Sequence, residues 1–580
     1  MALAVLETLR LSEEDRSNYA ITHPEAILKC QKPEEIQSLL EAVDLAVERG
    51  YFAIGFVSYE AGFNFLPHLP PIEAGEFPLA LFALSKNPQK APVPMEGSFE
   101  VRDLQLSLSC EEYRDSIESI KGSIEAGDTY QVNFTMRYRG KFSGSPRGLY
   151  RELCRKQRVS YAAYIETEEW AVLSLSPELF FRRRGRDIRM RPMKGTAPRG
   201  RTLEEDQINA RALQESPKEQ SENLMIVDLL RNDLGKICET GSIRVEEPMR
   251  VERYETLFQM TSTIDGTLRK GTGVKDLFCA IFPCGSVTGA PKIRTMQIIH
   301  DLEQAPRRIY TGAIGFISRE ESVFNVAIRT AVVDRSNGQI EMGVGSGILH
   351  EADPLREYQE CELKGKFLTE PFQEFQLLET ILWAPEKGFW MLSQHLDRLM
   401  SSAEYFLFPL KREAVEFELQ RQEKALHAIG TAQRVRLLVD SEGSIDVQSA
   451  PLDLPTSFRV RFAAKQTNSS DRFLYHKTTN RALYDDELRR GRSEGYFDVL
   501  FMNERNELTE GAISNVFVVR DGVYYTPPIR CGVLPGIYRR HFLETRPFPV
   551  EQRVLHKEDV TQAEAVYLTN SLRGLLRVTL

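Results

Sequence analysis

Between residues 367 and 376 the text FLTEPFQEFQ has neither helical nor strand periodicity, and a fresh set of helix and strand signals begins after it. In a chain of 580 residues such a break implies two cores, since a single hydrophobic core stops growing beyond roughly 250–300 residues. The expected domains are therefore 1–370 and 371–580, with a subdomain over about 1–100. In the first, strand-like runs (YAAYIET, WAVLSLS, AIGFIS, VFNVAIRTAVV, IEMGVGSGI) alternate with helical ones (EEYRDSIESIKGSIEAG, SENLMIVDLLRNDLG, RTMQIIHDLEQ) without a strict βαβ rhythm. This predicts a large α+β domain. After the break come the helix HLDRLMSSAEYF and the strands RVRLLVD, FDVLFMN and SNVFVVR, enough for one smaller domain.

Charge narrows the possible partners. A net charge of −9 with interspersed signs argues against a nucleic-acid surface or a polybasic membrane patch. No apolar run approaches the ~20 residues of a transmembrane helix. The eight cysteines lie far apart with no CxxC pair, and the start MALAVLETLRLSEEDR lacks the features of a leader. Reduced thiols and a cytoplasmic location are expected.

Two acidic pairs stand out. Glu219 and Glu222 lie three apart on a helix whose apolar positions mark another face, and Glu357 and Glu360 repeat the pattern in REYQECELKGK. Each alone reads as a solvated face. Brought together, they would need a hard divalent cation between them, and Mg2+ fits because it takes few carboxylates and leaves positions for an anionic substrate. The Gly-rich GVGSGI (343–348) is not followed by a helix opening as a dinucleotide turn must be, so its glycines are expected to let backbone N–H groups approach a carboxylate. Arg329 in FNVAIRT offers a bidentate carboxylate donor.

The set AGDTYQVNFT (126–135), SLSPELF (174–180), PMKGT (192–196), RNDLG (231–235), FPCGSVTGAPK (282–292), YTGAIGF (310–316), FNVAIRT (324–330) and GVGSGI with Glu357 and Glu360 resembles the chorismate-utilising enzymes. The resemblance implies Mg2+ on Glu222 and Glu360, supported by Glu219 and Glu357. It places the carboxylates of chorismate on Arg329, Tyr310, Thr196, Lys364 and the backbone near Gly345. Lys194 resembles the ring-attacking nucleophile of aminodeoxychorismate synthases, where anthranilate synthases carry alanine. Glu178 resembles the general acid for the departing 4-hydroxyl. Gln131 stands where isochorismate and salicylate synthases have a water-activating lysine, and Gln259 where many relatives have histidine.

HLDRL (395–399), YHKTTNR (475–481), ELTEGAISNVF (507–517), VLPGIYR (533–539) and LTNSLRG (568–574) resemble the fold-type IV pyridoxal-phosphate enzymes, with KxxNR closest to the aminodeoxychorismate lyases. By this resemblance Lys477 forms the Schiff base and moves the proton, Glu510 pairs with the pyridinium nitrogen, and Arg398, the Ile537 backbone and Thr569 hold the phosphate. Tyr538 replaces a common threonine. Together the halves imply amination of chorismate and then elimination of pyruvate, giving 4-aminobenzoate. The alternatives are an anthranilate-type synthase joined to an aminotransferase, or a synthase with an idle C-terminal scaffold. No cysteine lies in a nucleophile elbow, so ammonia is expected from a separate glutamine amidotransferase subunit. A homodimer through the C-terminal domain is also expected.

Overall fold

The computed structural model describes residues 3–10, 18–90, 95–370, 372–453, 455 and 457–580. Parts of the N-terminal MALAVLETLRLSEEDR, of the Pro-rich span 77–95 and of the break at 367–376 lie outside the described residues. The chain divides into two compact units: Met1–Ala197 with Ala212–Phe372, and Pro198–Arg211 with Gln373–Leu580.

In the first unit, antiparallel pairs build a nine-stranded and a ten-stranded sheet. The two sheets pack face to face: Ala4, Leu6, Ile165, Trp170 and Val172 of one lie against Ile54, Phe56, Ile314 and Phe316 of the other. Helices cover both outer faces. Ile36–Glu48, Pro217–Gly235 and Val274–Ile281 bury Leu40, Leu230 and Phe278 on the ten-stranded sheet. Cys110–Glu125, Pro146–Lys156, Lys292–Leu302 and Pro354–Thr369 cover the nine-stranded one. With each sheet buried on both sides, strands such as Tyr161–Glu166 and Trp170–Ser176 are covered at every residue. Their sequences are accordingly continuous apolar runs rather than alternating ones. Each fully buried large apolar side chain contributes about 1.5–3 kcal/mol.

Residues 1–100, read from the sequence as a subdomain, are woven into both sheets. Leu3–Glu7 pairs with Tyr161–Glu166 of the nine-stranded sheet, and Phe52–Val57 with Ala313–Ile317 of the ten-stranded one. The run VFNVAIRTAVV is also not one strand. It breaks at 327–329 into Glu321–Val326 and Thr330–Asp334, which belong to different sheets. The chain also crosses from one sheet to the other between Trp170–Ser176 and Leu179–Arg184.

The second unit has four-, three- and five-stranded sheets. The four-stranded sheet is covered by the helices Leu392–Phe406 and Arg412–Ile429. Pro198–Arg211 belongs to this unit. Arg199 forks onto the fully buried Asp206 at 2.6 Å, the Tyr405 hydroxyl donates to Gly200 O at 2.6 Å, and His476 Nε2 donates to Arg201 O at 3.1 Å. Burial pushes His476 down to about 4, so it stays neutral and its Nδ1 can accept from Ser402 Oγ at 3.0 Å.

Candidate functional sites

The crossings at 327–329 and at 177–178 lie side by side: Val326 N–H donates to Glu178 O, Ser176 Oγ to Val326 O, and Leu175 N–H to Arg329 O. One crossing carries Glu178 and the other Arg329. Where strands leave a sheet, side chains are released from the pleat, and Arg329 takes the left-handed φ of 50°, a conformation that costs a non-glycine residue of order 1 kcal/mol or more. Its guanidinium makes no hydrogen bond or ion pair with the described residues, and burial lowers its pKa. A half-buried cation in a strained conformation, with no hydrogen bond of its own and only the charges of Tyr254 and Glu255 acting on it, suits an anionic ligand.

Burial pushes Glu178 up to about 7, against the Ser286 hydroxyl at 2.7 Å, the Met193 N–H and the charge of Lys194. Lys194 lies on the strand Met193–Pro198, with its carbonyl accepting from Asn223 Nδ2 at 3.2 Å. Its ammonium is 3.2 Å from Glu222 Oε2. A Cβ on Gly347 would stand 2.6 Å from Lys194 Nζ and 2.7 Å from Gln131 Nε2, so a side chain there would displace that amine. Gln131 is buried with neither amide atom hydrogen-bonded.

Both acidic helices start the same way. Ser216 caps Pro217–Gly235 by accepting from Glu219 N–H, and Asp353 caps Pro354–Thr369 by accepting from Arg356 N–H, each followed by proline at the first position. Glu219 and Glu357 thus fall in first turns, where the helix dipole favours a carboxylate. Burial raises Glu219, and the charges of Glu222 and Glu360 raise it further. Burial likewise raises Glu357, and Lys194 acts on Glu219, Glu357 and Glu360 alike. The two pairs therefore share one electrostatic site. Burial would raise Glu360 as well, but Lys364 at 2.8 Å brings it below the usual carboxylate range. Lys364 also donates to Gly345 O at 2.7 Å.

Among the described residues no three His, Cys, Asp or Glu side chains converge to hold an ion as they stand. Lysine ammonium groups partner Glu222 and Glu360 instead. The donor set of four carboxylates from two helices, whose charges act on one another, fits a hard divalent cation.

GVGSGI lies inside the strand Gln339–Ile348 rather than at a turn. Its glycines admit neighbours: a Cβ on Gly343 would stand 2.1 Å from the Tyr310 ring, and one on Gly345 2.4 Å from Phe134 O. Gln131–Gly144 pairs with the whole of this strand, whereas Thr330–Asp334 pairs only with Gln339 through Met342, so among the described residues no strand takes the second edge of GVGSGI. Tyr310 is pushed up to about 12 by burial, so its hydroxyl remains a donor. Thr196 accepts from Gln259 Nε2 at 3.0 Å, which gives the histidine-replacing glutamine a place beside the site. Ser286 and Asn223 were not singled out from sequence, although both lie in segments that were.

In the second unit, burial and the cations Arg481 and Arg398 push Lys477 down to about 7. Glu510 lies in the strand Leu508–Gly511, not at a helix start. Burial pushes it up to about 8 despite donors from Leu534 N–H at 3.1 Å, Asn515 Nδ2 at 3.0 Å and the Tyr484 hydroxyl at 3.2 Å. Arg398 forks onto Glu379 at 2.8 and 2.7 Å, and its Nη1 donates to Pro535 O at 3.1 Å. Ile537 opens the helix Ile537–Thr545, whose N-cap Gly536 has no side chain to satisfy the first N–H groups. The Thr569 hydroxyl is buried without a hydrogen-bond partner. An orphaned hydroxyl and a free helix start are phosphate-binding features. With a buried lysine and a buried carboxylate they fit pyridoxal phosphate. Tyr538 turns its ring toward Trp390 at 5.8 Å, and its hydroxyl lies 3.6 Å from where a Cβ of Gly574 would stand.

Residues 7–370 match the family described as chorismate binding enzyme, and residues 376–580 match amino-transferase class IV. An aminodeoxychorismate synthase component 1 from Klebsiella aerogenes is 40% identical over 269 residues, covering 46% of this chain and 59% of its own length. An anthranilate synthase component 1 from Aquifex aeolicus is 40% identical over 276 residues, covering 47% and 55%. The chain thus spans a little over half the length of these relatives. The solved anthranilate synthase component I from Streptococcus pneumoniae shares the fold, with a TM-score of 0.50, 23% identity, and 64% of this chain and 90% of that chain covered. The chain belongs to the chorismate binding enzyme family and carries a class IV aminotransferase domain at its C-terminal end.

Proposed function

We propose that this chain is a two-site enzyme that aminates chorismate to 4-amino-4-deoxychorismate and then eliminates pyruvate to leave 4-aminobenzoate, the aromatic part of folate. The observation that carries the reading is Lys194, an amine that stands over Gly347, pairs with Glu222 and acts by its charge on Glu178, Glu219, Glu357 and Glu360.

In the first reaction Lys194 adds to the chorismate ring while Glu178, half protonated near neutrality, gives its proton to the departing 4-hydroxyl as water. Ammonia then takes the 4-position and the lysine leaves. Arg329 and the Tyr310 hydroxyl hold substrate carboxylate, with Thr196 and Lys364 beside them. Glu222 and Glu360 would ligate Mg2+, supported by Glu219 and Glu357. The ion would neutralise them and a carboxylate of chorismate. In the second reaction Lys477, held near neutrality, would carry pyridoxal phosphate and move the substrate proton. Glu510 would face the ring nitrogen, and Arg398, the Ile537 N–H and Thr569 would hold the phosphate. The cofactor supplies the electron sink for releasing pyruvate.

Ammonia would come from a separate amidotransferase, since no cysteine lies in a nucleophile elbow, and the second unit would form a homodimer. Among the described residues no helix is long and apolar enough to cross a membrane. A cytoplasmic location accords with the eight unpaired cysteines.

Two curated relatives carry the two synthase names at the same 40% identity, and Lys194 is what favours the aminodeoxychorismate reading. Incubation with chorismate, Mg2+, ammonium and pyridoxal phosphate should yield 4-aminobenzoate. Formation of 2-aminobenzoate would establish the anthranilate-type alternative.

A further inference from the structure

Two fully buried polar side chains of the second unit have no task in that reading. Glu379 lies in the apolar strand Leu377–Ala384, and His395 lies one helical turn before Arg398 on Leu392–Phe406. Their side chains are 1% and 0% exposed. A buried carboxylate is costly unless fully compensated. Here Glu379 Oε1 accepts from Arg398 Nε at 2.8 Å, while Oε2 accepts from Arg398 Nη2 at 2.7 Å and from His395 Nδ1 at 2.6 Å. Burial would raise this carboxyl, but the two partners outweigh it and hold it at about 2, so the grip persists across the working pH range. His395 Nε2 is buried with no hydrogen-bond partner, so the imidazole makes a single polar contact, to Glu379.

The grip determines what Arg398 can offer. Its Nε edge is taken, and Nη1 donates to Pro535 O, which leaves one N–H on each Nη free. Pro535 immediately precedes Gly536 and the uncapped start of Ile537–Thr545. Leu534, one residue earlier, donates its N–H to Glu510. One short loop thus registers Arg398, the helix start and the ring-nitrogen carboxylate against one another.

We propose that Glu379 and His395 are positioning residues for cofactor phosphate: Glu379 clamps the inner edge of Arg398 so that its outer N–H groups face the phosphate, and His395 holds Glu379 in that pose. The inference rests on the reading of the second unit as a pyridoxal-phosphate site.

The test titrates the full chain with pyridoxal phosphate and, separately, with pyridoxal, following the visible absorbance of the bound aldehyde. Glu379→Gln should weaken pyridoxal phosphate about tenfold, in the range typical when an outer partner of a ligand-holding side chain is lost, and leave pyridoxal unchanged. His395→Gln should give a smaller loss with the same phosphate selectivity, and it decides the matter should Glu379→Gln fail to fold. Inorganic phosphate should protect the wild-type site from pyridoxal phosphate better than it protects either variant. Equal losses for both aldehydes, or none, would overturn the positioning role while leaving the cofactor reading intact. A wild-type chain that binds neither aldehyde would overturn both.

Discussion

Each half of the chain places a lysine at its centre, and the two lysines are handled in opposite ways. Lys194 is 3.2 Å from the carboxylate of Glu222 and stands among three further acids. Lys477 is buried with Arg481 and Arg398 as its strongest neighbours, while Glu379 and Glu510 act on it more weakly. Glu379 is committed to Arg398 and His395, and Glu510 accepts from three other donors. The first site thus keeps its lysine paired to acids that a cation and an anionic substrate can claim. The second leaves its lysine without a dedicated counter-ion, so that burial and the neighbouring cations bring it toward neutrality. In the proposed reactions one type of side chain would serve two chemistries according to what its neighbours are already bonded to.

The comparison breaks most completely if either lysine is dispensable. Lys194→Ala should reduce amination by about a thousandfold or more, and Lys477→Ala should stop pyruvate release to a similar extent while 4-amino-4-deoxychorismate accumulates, as expected for lost covalent nucleophiles. Substrate depletion and pyruvate release, followed separately, check both. Glu222→Gln or Glu360→Gln should lower amination about a hundredfold and abolish its response to Mg2+ titration. An unchanged titration would return the acidic pairs to solvated helix faces.

The pH dependence sharpens the contrast. Glu178 must be protonated to act, so the pH profile of amination at constant free ammonia should contain an ionisation near 7 that opposes the reaction and disappears in Glu178→Gln. Lys477 must be neutral to capture its aldehyde, so the rate of pyridoxal phosphate capture should rise through about 7 and then level off. The smallest effect is expected of Ser286→Ala. It removes a hydrogen bond that favours the Glu178 carboxylate and should move the ionisation that opposes amination upward by a fraction of a unit, with a change in rate of about twofold or less at neutral pH.

What the sequence disclosed, and what it hid, follows from the range of the interactions. Continuous apolar runs identified strands such as Tyr161–Glu166 and Trp170–Ser176 because both faces of each sheet are covered. The break at 327–329 stayed hidden because hydrophobicity does not fall where a chain passes from one buried sheet to the next; the isolated Arg329 was its only mark. The acidic pairs were legible from local spacing, and the Ser-Pro and Asp-Pro helix starts that aim them could have been read as well. Partner choice is non-local: nothing near Lys194 announces Glu222, and nothing in the polar RGRTLEEDQINAR announces that Gly200 and Arg201 would bind Tyr405 and His476. Glu379 left a signal that sequence reading passed over, a lone acid in the apolar run LLETILWA.

The central claim is that two reactions run in series at Lys194 and Lys477. The most direct measurement compares the Lys194→Ala chain, the Lys477→Ala chain and an equimolar mixture of the two, each given chorismate, ammonium, Mg2+ and pyridoxal phosphate. Neither variant alone should form 4-aminobenzoate, whereas the mixture should form it together with an equal amount of pyruvate, because the intermediate released by one chain can be completed by the other. Formation of 4-aminobenzoate by either variant alone at the wild-type rate would contradict the account.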